Sequence, residues 1–239
     1  MRATYTSTYD NVDRPPQRAA WHPRRREHND VKLLVVRWAR SWLVSPLRVV
    51  DIACGRGGDA GKFGQREGNV EWYCGVDVSA HAACEARRRC AEERVQRAQI
   101  AVGDAIDAFP QVHGANLVTC FFALHYLATS EARAAALLER VAGALQTGGI
   151  FAGCAVSEQA LPTNVPRAWG SRYTYELPEL IERTEECCVP WAPFVALAAE
   201  HDLHIAFHRS FDKFLRGASM RSSVIENRCY YAFAFIKIE

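Results

Sequence analysis

The sequence predicts an α/β domain: a mostly parallel sheet of seven strands, helices on both faces, and an antiparallel strand at the C-terminal end. Three observations carry that prediction. Short apolar, β-branched runs alternate with amphipathic stretches between residues 47 and 156. A glycine-rich turn, GRGG (55–58), follows directly on the first run, LRVVDIA. Two strand-like runs, LHIAFHRSF and CYYAFAFIKI, close the chain and suggest an antiparallel pair at the sheet edge.

The elements follow in order. Residues 1–28 are polar, rich in Pro and Arg, and without periodicity, so they read as a basic N-terminal arm. Residues 29–239 read as one domain. Asn29–Leu43 repeats apolar residues at helical spacing (Leu34, Trp38, Trp42) and predicts an amphipathic helix. LRVVDIA is a buried strand, and Gly58–Glu67 reads as the helix after it. VEWYCGVDV (70–78) is a strand, Ala80–Arg94 a helix, and AQIAVGDA and ANLVTCFFA are strands. Ser130–Leu145 is a helix, with Ser130 as its cap and Leu137, Leu138, Val141 and Leu145 on one face. GIFAGCAV is the fifth strand. The stretch after Ser157 is irregular and then strand-like, followed by a helix over Trp191–His201 and the two closing strands.

Composition narrows the class. The chain has 239 residues, 49% hydrophobic, enough for one large core. Its nine cysteines are odd in number and form no Cys-x-x-Cys pair, which fits a reduced intracellular protein better than a disulfide or zinc framework. The N-terminus lacks a signal-peptide core, and the longest apolar run, ANLVTCFFALHYLA, is too short to span a membrane. The expectation is a soluble intracellular protein without a membrane partner. Net charge is only +2, yet the first fifty residues carry ten Arg or Lys against four Asp or Glu. That asymmetry points to an anionic partner, nucleic acid being the usual one.

The glycine-rich turn is the candidate ligand site. In an open α/β sheet, ligands lie beyond the carboxyl ends of the strands, where Gly55, Gly57 and Gly58 fall. Acids stand at successive strand ends. Asp51 precedes the turn, Asp77 ends the second strand, and Asp104 ends the third. Asp77 is placed to accept ribose hydroxyls and Asp104 an adenine amino group; a dehydrogenase uses the first device too. A pyrophosphate would want basic residues and bare N–H groups. Three acids suit a cationic ligand better, and S-adenosylmethionine carries an ammonium and a sulfonium.

VVDIACGRGGDAGKF (49–63) resembles the signature of mRNA cap guanine-N7 methyltransferases, Asp-Leu-(Gly/Ala)-Cys-Gly-Lys-Gly-Gly-Asp. Further segments agree in order: HNDVK (28–32), YCGVDVS (73–79), the CFFALHY run with the helix after it, the later stretch beginning YTYEL, and the closing YYAFAFIK. The resemblance covers about residue 28 to the end. It implies a Rossmann-like class I methyltransferase fold and methyl transfer from S-adenosylmethionine to N7 of the guanine cap of mRNA. It further implies that Lys32, Asp51, Gly55, Asp77 and Asp104 contact the cofactor. His125, Tyr126, Glu186 and Tyr230 would line the guanine pocket, with Glu185 as the neighbouring alternative to Glu186. Asn29 matches the second Asn of the family's pair, and His28 replaces the first. Ser157 stands where the family has a Pro, and Cys187 where a Tyr follows the glutamate. The implied partners are 5′-capped RNA and other capping-enzyme subunits (triphosphatase, guanylyltransferase), in the nucleus, or in the cytoplasm for a viral enzyme. No metal is implied.

The chemistry agrees with these residue types. Guanine N7 has a free lone pair, so transfer needs alignment rather than a general base. A carboxylate at the Watson–Crick edge, the role expected of Glu186, accepts from N1–H and the exocyclic amine and answers the positive charge the base acquires. Tyr126 and Tyr230 would pack beside the base, and Arg24, Arg25 and Arg26 with Arg18 would meet the phosphates of the cap. Two other readings share the cofactor site: a small-molecule methyltransferase, and a non-catalytic methyltransferase-fold subunit.

Overall fold

The computed structural model describes residues 23–64, 67, 69–177, 181–218 and 229–239, so Arg18 and most of the arm lie outside the described residues. Helix α1 spans Pro23–Trp42 and begins six residues earlier than the periodicity suggests. Proline suits a first helical position, where its missing N–H costs nothing. The buried face of α1 is Val31, Val35, Val36 and Ala39, whereas Trp42 is 67% exposed and lies off the face expected of it.

Strand β1 (Leu47–Ile52) leads into the glycine-rich turn. Among the described residues of the stretch expected as a helix, 58–67, a single 3-10 turn forms, at Ala60–Lys62. Gly57, Gly58, Gly61 and Gly64 make this stretch a poor helix former. Next come β2 (Val70–Asp77), α2 (Ala80–Glu92), β3 (Ala98–Val102) and β4 (Ala115–Phe121). The one-turn α3 (Leu124–Leu127) was not legible in the sequence; α4 (Glu131–Ala144) is capped by Ser130, whose Oγ accepts from the Arg133 N–H. β5 (Leu145–Val156) follows α4 without a break. β6 (Arg172–Leu177) and β7 (Ile181–Cys187) form a separate antiparallel ribbon. The chain closes with α5 (Trp191–Ala199), β8 (Leu203–Ser210), α6 (Phe211–Gly217) and β9 (Tyr230–Lys237). The sequence reading missed β7, a charged run without alternation, and α6, which is under two turns long.

The main sheet has seven strands in the order β3-β2-β1-β4-β5-β9-β8. β1–β5 pair in parallel, and β9 runs antiparallel to both β5 and β8, as expected of the closing strands. Consecutive apolar residues feed opposite faces, which is why the inner strands are apolar throughout. Val50, Val118 and Phe151 pack under α4 and α5, with Leu137, Leu138 and Phe194. Val49, Leu117 and Ile150 pack under α1, α2 and α6, with Val35, Ala86 and Phe211. Strand order reverses between β1 and β4, and in open α/β sheets ligands bind beyond the carboxyl ends of the strands at such a point. No helix among the described residues is long and apolar enough to cross a membrane.

Candidate functional site: acids at the strand ends and a carboxylate clamp

Asp51 ends β1 almost fully buried. Its Oδ2 accepts from the Tyr73 hydroxyl at 2.6 Å and its Oδ1 from the Thr119 hydroxyl at 2.7 Å. Burial, with Asp59 nearby, pushes its carboxyl up to about 6. Asp59 follows the glycines of the turn. It accepts from Lys32 Nζ at 2.9 Å and Lys62 Nζ at 2.6 Å. Burial alone would raise its carboxyl, but the two ammonium groups outweigh that and hold it down at about 2. Lys32 reaches this acid from α1, and burial, which favours the neutral amine, is overcome by Asp59, so its ammonium is held. The same Nζ lies 5.5 Å and 5.6 Å from the ring centroids of Phe121 and Phe122.

The turn itself is pinned from β2. The Gly55 N–H donates to Asp77 Oδ2 at 2.7 Å, and the Ser79 N–H to Asp77 Oδ1 at 3.0 Å. Gly55 and Gly57 adopt φ of +56° and +69°, which glycine takes without a Cβ penalty. A Cβ on Gly57 would also stand 2.8 Å from the Ala86 Cα, so glycine lets α2 rest against the turn. Asp104 takes two contacts from Arg133 Nη2, at 3.1 Å and 2.9 Å, and one from the Ile106 N–H at 3.0 Å. Burial works against its charge, yet these donors keep its carboxyl below the usual range.

A second group of side chains gathers around Glu186. The β6–β7 register sets Tyr173 opposite Glu186 and Arg172 opposite Cys187. Opposed side chains share a face, so Tyr173, Tyr175, Thr184 and Glu186 lie on one side of the ribbon. Glu186 is 2% exposed. Its Oε1 lies 3.1 Å from the Tyr126 hydroxyl, which donates to it, and 3.3 Å from His125 Nε2. Its Oε2 accepts from the Tyr173 hydroxyl at 2.7 Å. Burial holds His125 neutral against the pull of Glu186, so the tautomer facing the carboxylate is assigned as Nε2–H. Its Nδ1 is buried without a hydrogen-bond partner. Burial and Glu186 together raise the Tyr173 phenol, which is therefore a donor at neutral pH.

Between the two groups lies an aromatic cluster. Phe122 sits at φ +57°, a strained conformation for a bulky residue. His28 stacks on it at 5.1 Å and 27°, and meets the Tyr230 ring edge-on at 4.6 Å. The Tyr230 hydroxyl touches the Tyr175 hydroxyl.

A model of the mRNA (guanine-N(7))-methyltransferase domain matches residues 24–165, more than half of the chain. The chain belongs to this family. Among curated relatives, the mRNA cap guanine-N(7) methyltransferase of Aspergillus niger is 27% identical over 73% of this chain and 41% of its own length. The Saccharomyces cerevisiae protein of that name is 26% identical over 70% of this chain and 48% of its own, and the Oryza sativa one 26% over 70% and 56%. The chain thus spans about half the length of the curated relatives it matches. Solved structures agree on the fold. An S-adenosylmethionine-dependent methyltransferase from Clostridium acetobutylicum superposes with a TM-score of 0.66 at 13% identity, covering 99% of both chains. The N-methyltransferase NodS from Bradyrhizobium japonicum, solved with S-adenosyl-L-homocysteine, gives 0.63 at 15%, covering 98% and 96%. The expected class I methyltransferase fold is the observed one.

Within this family fold, the structure brings Lys32, Asp51, Gly55 and Asp77 together at the strand ends, and His125, Tyr126 and Glu186 around one carboxylate. Tyr230 stands between the groups. Asp104 stands just past the end of β3, where α4 begins within reach of it, and Arg133 and the Ile106 N–H take three of its acceptor positions. Asn29 is exposed on α1, and the residue turned toward the aromatic cluster is its neighbour His28. Arg24, Arg25 and Arg26, expected in the basic arm of residues 1–28, belong to the first turn of α1; the Arg24 side chain lies outside the described residues. Ser157 caps a short 3-10 turn, accepting from the Gln159 N–H, and Cys187 is buried. All nine cysteines are free thiols. Asp59, Phe122, Tyr173 and Tyr175 were missed as site residues. Asp59 was in view within the GRGGD turn, but nothing local showed that it pairs with Lys32, 27 positions away.

Proposed function

We propose that the chain transfers a methyl group from S-adenosylmethionine to N7 of the guanine cap of RNA. The observation that carries this reading is Glu186, a buried carboxylate held by the Tyr126 and Tyr173 hydroxyls with His125 beside it. The residues present fit the cofactor. Each oxygen of Asp51 keeps a lone pair beyond Tyr73 and Thr119, enough to receive an ammonium. Lys32 keeps donors beyond Asp59 for a carboxylate, and Asp77 beside Gly55 would hold the ribose hydroxyls. When bound, S-adenosylmethionine supplies an electrophilic methyl group on a sulfonium.

The chain's own residues then align and select. Guanine N7 brings its lone pair, so no side chain has to remove a proton, and His125, neutral and turned to Glu186, is not needed as a base. Phe122, Tyr230 and Tyr175 offer faces and edges for a planar base. Glu186 accepts from its Watson–Crick edge and answers the positive charge that N7 methylation creates. Arg24, Arg25 and Arg26, on the first turn of α1, would meet the phosphates of the cap. The substrate end is made by a triphosphatase and a guanylyltransferase, the capping partners this reading implies, in the nucleus or, for a viral enzyme, the cytoplasm.

The test is methyl transfer from labelled S-adenosylmethionine to GpppA, GpppG and GTP, with the methylated position mapped. Label on N7, falling at least about a hundredfold in Glu186→Ala, is the expected outcome. Cofactor binding with no transfer to any guanine acceptor would sink the reading.

A further inference from the structure

The donors on Glu186 are unequally placed. A carboxylate offers about four acceptor positions, two on each oxygen. Tyr126 donates to Oε1, which also has His125 Nε2 at 3.3 Å, while Tyr173 donates to Oε2. A guanine Watson–Crick edge presents N1–H and an amine N–H side by side and needs one position on each oxygen. Oε2 can accept beside Tyr173, whereas Oε1 is crowded by both Tyr126 and His125.

The three side chains around Glu186 differ in how firmly they are held. Tyr173 is 6% exposed and packs with Leu161, Val165 and Cys188 in a small cluster of its own. It is also the cross-strand neighbour of Glu186, so the ribbon backbone fixes both ends of the contact. Its bond is the shortest of the three, at 2.7 Å against 3.1 Å for Tyr126 and 3.3 Å for His125. Tyr126 and His125 ride on the single turn of α3, outside the ribbon. We infer that Tyr173 is a positioning residue for base recognition: it stays on Oε2 and fixes the carboxylate's orientation, while Tyr126 and His125 make room at Oε1, so that the guanine edge takes one position on each oxygen.

This rests on the reading of Glu186 as the guanine-binding carboxylate. Its consequence is selectivity. A base without the exocyclic amine, such as hypoxanthine, gains little from a correctly turned carboxylate, so Tyr173 matters more for guanine than for hypoxanthine.

The experiment compares initial rates on GpppA and its inosine counterpart IpppA for the wild type, Tyr173→Phe, Glu186→Gln and the double variant. Phe keeps the ring and its packing; thermal unfolding and S-adenosylmethionine binding check each variant. Tyr173→Phe is expected to raise KM for GpppA about tenfold, with kcat within about threefold and cofactor affinity unchanged. The preference for GpppA over IpppA should fall, and Tyr173→Phe should add less than about twofold in the Glu186→Gln background. An unchanged KM and preference overturns the inference. So does an equal penalty in both backgrounds, since Tyr173 would then act independently of Glu186. A wild type that methylates neither acceptor overturns the cap reading, and this inference with it.

Discussion

At Asp51 the demands of the fold and of a ligand pull in opposite directions. Its folded-state carboxyl titrates at about 6, above the roughly 3.9 of an unfolded chain. The ionised form therefore costs stability. That cost is absent below about pH 4, grows as pH rises through 6, and is on the order of 3 kcal/mol at neutral pH. An Asn in its place still reaches Tyr73 and Thr119 but carries no charge. Asp51→Asn is expected to raise the Tm at pH 7.5 by several degrees, to leave it almost unchanged at pH 4, and to weaken S-adenosylmethionine binding at least tenfold. Thermal unfolding at the two pH values, with calorimetric titration of the cofactor, measures both sides. Stability lost at a site in exchange for charge is a common pattern where function is concentrated.

Two elements carry the geometry, the glycine-rich turn and the β6–β7 ribbon. In the turn, Gly57 combines a φ of +69° with a Cβ position 2.8 Å from the Ala86 backbone. Gly57→Ala must both strain the turn and push α2 away, which should cost about 2–3 kcal/mol and weaken cofactor binding. Denaturant unfolding measures the first effect. In the ribbon, strand alternation separates two adjacent glutamates. Glu186 faces Tyr173 inside, while Glu185 is exposed and pairs with Arg172 at 2.6 Å. Exposed pairs contribute little. Glu185→Ala should therefore change transfer to GpppA less than about threefold, against the large loss expected for Glu186→Ala.

Across the whole molecule the site is tied together by long-range charge pairs. Lys32 on α1 and Lys62 beyond the turn meet on Asp59. A carboxyl held at about 2 stabilises the fold at any pH above about 4 and loses that contribution as pH falls through 2. Asp59→Asn should thus cost about 2 kcal/mol at pH 7 and almost nothing near pH 2, the opposite of Asp51→Asn. Acid unfolding curves of the two variants against the wild type check both signs. The Arg133–Asp104 pair behaves like Asp59, since its donors also lower the acid's titration.

The sequence by itself determined the sheet and the acids at its strand ends. Apolar runs with short bounded lengths, the Ser130 cap and the glycines after LRVVDIA are local signals, and each marks its own element. It also placed carboxylates at the sheet's end, since Asp51 and Asp77 sit where their strands end. Element ends set by composition failed: the glycines that marked the turn also prevented the helix expected after it. Only the tertiary structure decided which of those residues act together. Cross-strand register, not neighbouring sequence, turned Glu186 inward and Glu185 outward and set Tyr173 opposite Glu186. Helix phase turned His28 inward and Asn29 out, and the start of α4 gave Asp104 to Arg133. Each of these depends on a partner many positions away in the chain, and no local pattern can encode a distance that folding alone creates.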